Sequence, residues 1–343
     1  MAATSVATVA THDHQPTTAD RTESSVLAVT DLTTEFRTRR GPVRAVNGIS
    51  FDVARRGVLA VIGESGSGKS AMLRSLIGIN PPSTAITGRI SLQGKDLLSL
   101  PAKQRRRIRG RDIAMVFQDP LTALDPVYTI GRQLTETVGK QQPELTREQT
   151  RRRALELLEL VQIPSASTRL KAYPNELSGG MRQRVVIAMA IAGRPQVLLA
   201  DEPTTALDVT VQAKMMRLFG EIQAEIGMAM IVVTHDLGVA AELADDVAVM
   251  YAGRFVEQGS AVDVLSRPRH PYTEGLIEAN VRAGQGNRPL AIPGTPPSLT
   301  RLPPGCAFAP RCRYAVGACW EGAAPINGTV QHWSRCLLAD GAA

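Results

Sequence analysis

Four short apolar runs punctuate the middle of the chain: VLAVIG at 58–63, IAMVF at 113–117, VLLAD at 197–201 and MIVVT at 230–234. Each is too short for a helix and shows no polar–apolar alternation, the pattern of strands buried on both faces of a parallel sheet. KSAMLRSLIG (69–78), VTVQAKMMRLFGEIQAEIG (209–227) and LGVAAELA (237–244) carry apolar residues at helical spacing. Strands alternating with helices predict an α/β fold with a parallel sheet covered on both faces.

Between Gln118 and Leu177 the strand pattern stops. TREQTRRRALELLELV (146–161) reads as an amphipathic helix, so a helical subdomain is expected over about 119–190, inserted in a sheet domain spanning 25–265. From about Ser266 the chain turns proline-rich and then holds all four cysteines, which marks a C-terminal extension over 266–343. Residues 1–24 are rich in Ala and Thr, lack the plan of a secretory signal and read as a disordered tail. No run of about 18 apolar residues predicts a membrane span. The chain reads as cytosolic, where its cysteines are not expected to pair.

Composition changes this picture little. Of 343 residues, 43% are hydrophobic and 21% charged, ordinary for a soluble globular protein. The net charge of +7 permits an anionic partner without requiring one. The clusters Arg105–Arg107 and Arg151–Arg153 could contact nucleic acid, but aromatic residues are only 4% of the chain, few for base stacking. Both clusters read better as solvated helix faces.

The candidate chemistry begins at the end of the first apolar run. Gly63, Ser65, Gly66, Gly68, Lys69 and Ser70 lie in GESGSGKS, which fits the phosphate-binding loop G-x-x-x-x-G-K-[ST]. Glycines let backbone N–H groups approach anionic oxygens, and the helix that follows turns its positive end to the same place. Lys69 would reach the β- and γ-phosphates, and the Ser70 hydroxyl would ligand Mg²⁺. In VLLADEP (197–203) a strand ends in two carboxylates. Asp201 suits Mg²⁺, and Glu202 suits the base that takes a proton from an attacking water. In ELSGGMRQRVV (176–186), Ser178, Gly179 and Gly180 open a second helix. Its free N–H groups could serve as a plain capped terminus or face the phosphate of a neighbouring chain's nucleotide.

LSGGM, 20 residues before VLLADEP, resembles the signature of ABC-type ATPases, with Met181 where LSGGQ is usual. Gln118 in VFQDP resembles the family's Q-loop glutamine, TALD (205–208) its D-loop and His235 in VVTHD its switch histidine. Phe36 in TEFRT is the candidate for stacking on adenine. The resemblance implies a P-loop NTPase (RecA-like) core with an antiparallel β subdomain, an inserted helical subdomain and the cysteine-bearing extension. It implies that Gln118 and Asp201 order Mg²⁺ and the lytic water, Glu202 acts as base and His235 contacts the γ-phosphate. Ser178, Gly179 and Gly180 would close over ATP held by a partner subunit.

The segments RPRHPYTEGLIEA and PGTPPSLTRLPPGCAFAPRC resemble the tail of the ATP-binding subunits of oligopeptide and dipeptide permeases, a region nickel permeases share. The implied partners are a sibling ATPase, two membrane permeases and, indirectly, an extracytoplasmic binding protein. The implied place is the cytoplasmic face of the membrane, and no nucleic acid is expected. Cys306, Cys312, Cys319 and Cys336 are spaced C-x5-C-x6-C-x16-C, without the tight C-x2-C pairs of common zinc sites. Four thiolates suit a [4Fe–4S] cluster or zinc, and buried free thiols are the third possibility. The resemblance favours the iron–sulfur cluster. His332 is a remote further metal-ligand candidate. The rival class is a soluble ABC protein acting on DNA or ribosomes.

Overall fold

The computed structural model describes residues 25–39, 41–119, 123–203, 209–284 and 292–338. The expected tail at 1–24 and the D-loop-like TALD at 205–208 lie outside the described residues.

The chain opens with a long antiparallel pair, β1 (Ser25–Thr38) and β2 (Gly41–Ala54), followed by β3 (Val58–Ile62) and a helix over Lys69–Ile77. Next come β4 (Thr84–Leu92) and β5 (Lys95–Asp96), a helix over Ala102–Ile108, and β6 (Ile113–Val116). Helices over Ile130–Gln141, Arg147–Leu160, Ala166–Arg169 and Gly179–Ala190 separate β6 from β7 (Val197–Asp201). Then follow a helix over Val209–Ile226, β8 (Ala229–Thr234), a helix over Leu237–Leu243, β9 (Asp246–Tyr251) and β10 (Arg254–Ser260). The last part carries helices over Ala261–Ser266 and Pro271–Gly284, and two short strands, β11 (Asn327–Gly328) and β12 (His332–Ser334).

Two sheets result. β2-β1-β4-β5 is wholly antiparallel. The larger sheet runs β11-β12-β10-β9-β3-β8-β7-β6. Its strands β9, β3, β8, β7 and β6 are parallel, and β10, β12 and β11 continue it antiparallel. The order β3-β8-β7-β6 puts the first strand's C-terminal end beside those of later strands. That crossover gathers the loops after β3, β7 and β8 at one edge, where open α/β sheets bind ligands.

Burial follows from the sequence runs. All five residues of β3 and of β7, and all six of β8, are buried. One core, including Leu59, Val61, Met72, Leu73 and Ile231, fills the space between the sheets around the Lys69–Ile77 helix. A second lies on the other face and continues into the helical insert through Ile130, Leu134, Val138, Leu157 and Leu158. The Arg147–Leu160 helix starts in a capping box between Thr146 and Gln149. Its exposed Arg152 and largely covered Arg153 both pair with Glu156. A third core joins Tyr251, Tyr272 and Phe308, and so packs the C-terminal segment on the sheet.

Candidate functional site

The loop between β3 and the Lys69–Ile77 helix is shaped by its glycines. Gly63 has φ +153° and Gly68 φ +111°; a Cβ on either would collide with a backbone carbonyl, of Met250 and of Ala45 respectively. Gly66 also lies at positive φ but faces open space. The helix begins after Gly68 with no side-chain cap, so its first N–H groups stay available to an anion. Lys69 folds back over the loop, and its Nζ donates to the carbonyl oxygens of Gly63 at 2.7 Å and Glu64 at 2.8 Å. Burial lowers the Lys69 pKa, opposed by the carboxylates of Glu202, Asp201 and Glu64.

β7 brings the two expected carboxylates to this loop. Ser70 Oγ donates to Asp201 Oδ1 at 2.8 Å, and burial pushes the Asp201 carboxyl above its ordinary range. A hydroxyl and a carboxylate oxygen held side by side next to an anion-binding loop form the donor set Mg²⁺ prefers, so the residues fit that ion. Glu202 stands in the left-handed region at φ +45°, with its N–H donating to the Val233 carbonyl at 3.0 Å. A glutamate held there is the kind of backbone strain that collects at functional positions. Gln118 Nε2 donates to Glu202 Oε2 at 3.1 Å, and His235 Nδ1 lies 3.6 Å from the same oxygen. Ser65, Gly66, Gly68, Lys69, Ser70, Gln118, Glu202 and His235 line one cleft.

The helix over Gly179–Ala190 begins elsewhere. Ser178 Oγ caps it by accepting from the Met181 N–H at 3.3 Å. Ser178 and Gly179 are exposed, and none of Ser178, Gly179 and Gly180 lines the cleft. Met181 is half-buried against the core of the insert. Phe36 sits half-buried on β1, opposite Val43 and Thr84, and is not among the lining residues.

Residues 46–205 match the family model described as ABC transporter, and residues 256–319 match the oligopeptide/dipeptide transporter C-terminal region. The dipeptide transport ATP-binding protein DppD of Bacillus subtilis is 48% identical over 297 residues, covering 86% of this chain and 88% of that protein. The chain belongs to the ABC transporter ATP-binding proteins, in their oligopeptide/dipeptide branch. The oligopeptide transport ATP-binding protein OppD of Mycobacterium tuberculosis is 50% identical over 320 residues; they cover 92% of this chain but only 52% of that protein. The chain thus spans about half the length of that relative. Among solved structures, a dimeric post-hydrolysis state of the ATP-binding cassette MJ0796 bound to ADP and Pi superposes with a TM-score of 0.61. It is 28% identical and covers 68% of this chain and 98% of its own. The cbiO1 protein of Clostridium perfringens, part of the cbiONQ transporter complex, gives a TM-score of 0.61 at 30% identity, covering 71% of this chain and 92% of its own.

The cassette contains site residues that motif reading did not single out. Gln183, buried, donates to the Pro203 carbonyl at 2.9 Å and so ties the signature-like helix to the turn after Glu202. Its only sequence signal is its place in MRQRV. Ala45 and Leu299 line the cleft itself, and nothing in the sequence points to either.

The cysteines do not assemble as expected. Cys306 and Cys312 are half-buried, Cys319 and Cys336 buried, and all four are free. Burial raises the thiol pKa values of Cys306, Cys312 and Cys336, and neighbouring thiols raise them further. The side chains are thus within electrostatic reach of one another. Yet among the described residues no three His, Cys, Asp or Glu side chains form a group that could hold a metal ion. As placed, the described side chains give no ligand set for the expected [4Fe–4S] cluster or for zinc. His332 is occupied otherwise: its Nε2 pairs with Glu257 Oε1 at 2.7 Å, which docks β12 on β10.

Proposed function

We propose that this cassette binds ATP with Mg²⁺ and, paired with a second ATPase subunit, hydrolyses it to energise import of oligopeptides or dipeptides. The observation that carries the reading is the separation of two sets of groups. Lys69, Ser70, Gln118, Glu202 and His235 line one cleft, with Asp201 hydrogen-bonded to Ser70 at its edge, while Ser178–Gly180 stand outside it, exposed at their first two residues. One chain supplies one half of each of two composite sites.

In this reading the loop N–H groups and Lys69 hold the ATP phosphates. Ser70, Asp201 and Gln118 would hold Mg²⁺, which would supply positive charge to the ATP phosphates. Glu202 takes the proton of the attacking water, held in place by Gln118 and with His235 beside it. The products are ADP and phosphate. Ser178, Gly179 and Gly180 cap the γ-phosphate of the nucleotide on the sibling subunit. Phe36 is proposed to stack on adenine.

The peptide substrate is supported by the C-terminal match and by the relatives' names. A nickel or other small-solute importer would use the same cassette. Two membrane permeases, reached through the helical insert, and an extracytoplasmic binding protein complete the proposed system at the cytoplasmic face. Among the described residues no helix is long and apolar enough to cross a membrane, so the permeases would hold the cassette there. The domain plan stays as proposed: tail 1–24, cassette 25–265, extension 266–343. No step runs through the four cysteines.

The test is to tag the chain, purify it from membranes in mild detergent and identify what accompanies it. Two polytopic membrane proteins and a second ATPase are expected. Recovery with ribosomes or DNA instead would overturn the transporter reading in favour of the soluble ABC class.

A further inference from the structure

The phosphate-binding loop contains an acid. Glu64 sits between Gly63 and Ser65, and its backbone carbonyl accepts from Lys69. Its carboxylate acts on the Lys69 charge. A negative side chain inside an anion-binding loop opposes the function of the loop unless something neutralises it.

The neutralising group comes from 247 residues away. Arg311 Nη1 donates to Glu64 Oε2 at 2.6 Å and Nη2 donates to Glu64 Oε1 at 3.0 Å. This is a bidentate pair, the geometry in which guanidinium and carboxylate bind most strongly. The Arg311 side chain is only 3% exposed, and Glu64 holds its pKa above the ordinary arginine value. The remaining donors are also used. Nε donates to the Pro293 carbonyl at 2.8 Å, Nη2 to the Ile292 carbonyl at 3.3 Å, and Nη1 to the Tyr251 hydroxyl at 3.3 Å. The Glu64 N–H in turn donates to the Tyr272 hydroxyl at 2.8 Å. Arg311 is aimed by the short turn Ala309–Arg311, closed by N–H bonds from Ala309 to Cys306 and from Arg311 to Phe308. Phe308 packs against the rings of Tyr251 and Tyr272. Leu299, from the same segment, lines the nucleotide cleft itself.

We infer that Arg311 is a positioning residue of the ATP site: the C-terminal extension supplies the cation that cancels the Glu64 charge and sets the phosphate loop. The inference rests on the proposed ATP reading. It makes the extension part of the nucleotide site, not an appendage to it.

The experiment measures ATP affinity by titration calorimetry on the full chain with Mg²⁺, for wild type, Arg311→Met, Glu64→Gln and the double variant. Arg311→Met leaves an uncancelled carboxylate in the loop and weakens ATP binding about tenfold. Glu64→Gln breaks the same clamp but removes the repelling charge, so its affinity stays within about threefold of wild type or improves. The double variant recovers most of the loss. A clamp that merely holds the fold predicts the reverse: Glu64→Gln weakens ATP as much as Arg311→Met does, and the double variant recovers nothing. That result, or an Arg311→Met affinity equal to wild type, overturns the inference. Glu64 is partly exposed, so Glu64→Gln decides the matter alone if Arg311→Met does not fold. A wild-type chain that binds no ATP would overturn the proposed function, which is a different outcome.

Discussion

Two helix N-termini in this chain look alike in sequence and differ in structure. GSGKS opens the helix over Lys69–Ile77, and SGGMR opens the helix over Gly179–Ala190. The first has no side-chain cap and is roofed by Lys69, with Asp201, Glu202, Gln118 and His235 grouped against it. The second is satisfied by its own serine and otherwise faces solvent. Both present backbone N–H groups and a positive dipole end to anything anionic. What separates them is the supply of charge around them. A lysine, two carboxylates and a strained glutamate backbone gather around the first terminus, the set proposed to hold ATP and take the proton of the attacking water. The bare capped terminus is proposed to contribute only when another chain brings the phosphate.

The sharpest way to break that comparison is to remove chemistry from the first terminus without touching binding. Glu202→Gln keeps the size and the left-handed backbone position but cannot take a proton. ATP hydrolysis by the assembled complex should fall by about 10²–10⁴-fold, the usual worth of a positioned general base. The ATP dissociation constant should stay within about threefold, since glutamine still meets Gln118. Parallel loss of binding and turnover would show that Glu202 holds the nucleotide instead. Next in size is Lys69→Ala, which removes the cation folded over the loop. ATP binding to the isolated chain should weaken by about 100-fold, a charged hydrogen-bonding group being worth roughly 1.5–3 kcal/mol.

The second terminus predicts a split between isolated chain and assembly. Ser178→Arg places a cationic, bulky side chain at an exposed helix start. ATP affinity of the isolated chain should not change, because Ser178 does not line its cleft. ATPase activity of the assembly should drop about tenfold or more, as expected for loss of one set of transition-state donors. Equal affinity loss in the isolated chain would mean that the two termini share one nucleotide.

The phosphate-loop side of this contrast was legible in the sequence because its chemistry is local. GESGSGKS, VLLADEP and VVTHD each place their functional residues at a strand end, and a parallel sheet brings strand ends together. The apolar runs at 58–63, 113–117, 197–201 and 230–234 became β3, β6, β7 and β8 for the same reason. The long antiparallel pair β1–β2 was less visible, since its residues alternate imperfectly around register shifts. What long-range contact decides was not legible at all. Arg311 reaching Glu64, Leu299 lining the cleft and His332 turned to Glu257 depend on how the last segment packs. The cysteine spacing suggested a ligand set, but spacing does not fix side-chain direction, and among the described residues the cysteines form no metal-holding group.

The smallest expected effect concerns Asp201, the acid proposed to hold Mg²⁺ at the first terminus. Burial raises the Asp201 pKa, more than the Ser70 hydrogen bond lowers it. The sign follows directly. In the unfolded chain Asp201 ionises at the ordinary aspartate value; in the folded chain it holds its proton to higher pH. Without Mg²⁺, its ionisation therefore costs stability as pH rises through the raised folded value, and protonation restores that stability as pH falls. Asp201→Asn removes this titration, so the metal-free variant should melt above wild type at pH 7, by roughly a few degrees at most. The gap should narrow as pH is lowered from 7 toward the ordinary aspartate range, with wild type gaining relative to the variant. Adding Mg²⁺ at pH 7 should raise wild type and leave the variant unmoved, because only the carboxylate gains a counter-charge. Thermal melts of both proteins at the two pH values, with and without Mg²⁺, check all three signs. A gap independent of pH would mean that burial does not hold the Asp201 proton, so that the carboxylate stands ionised before Mg²⁺ arrives.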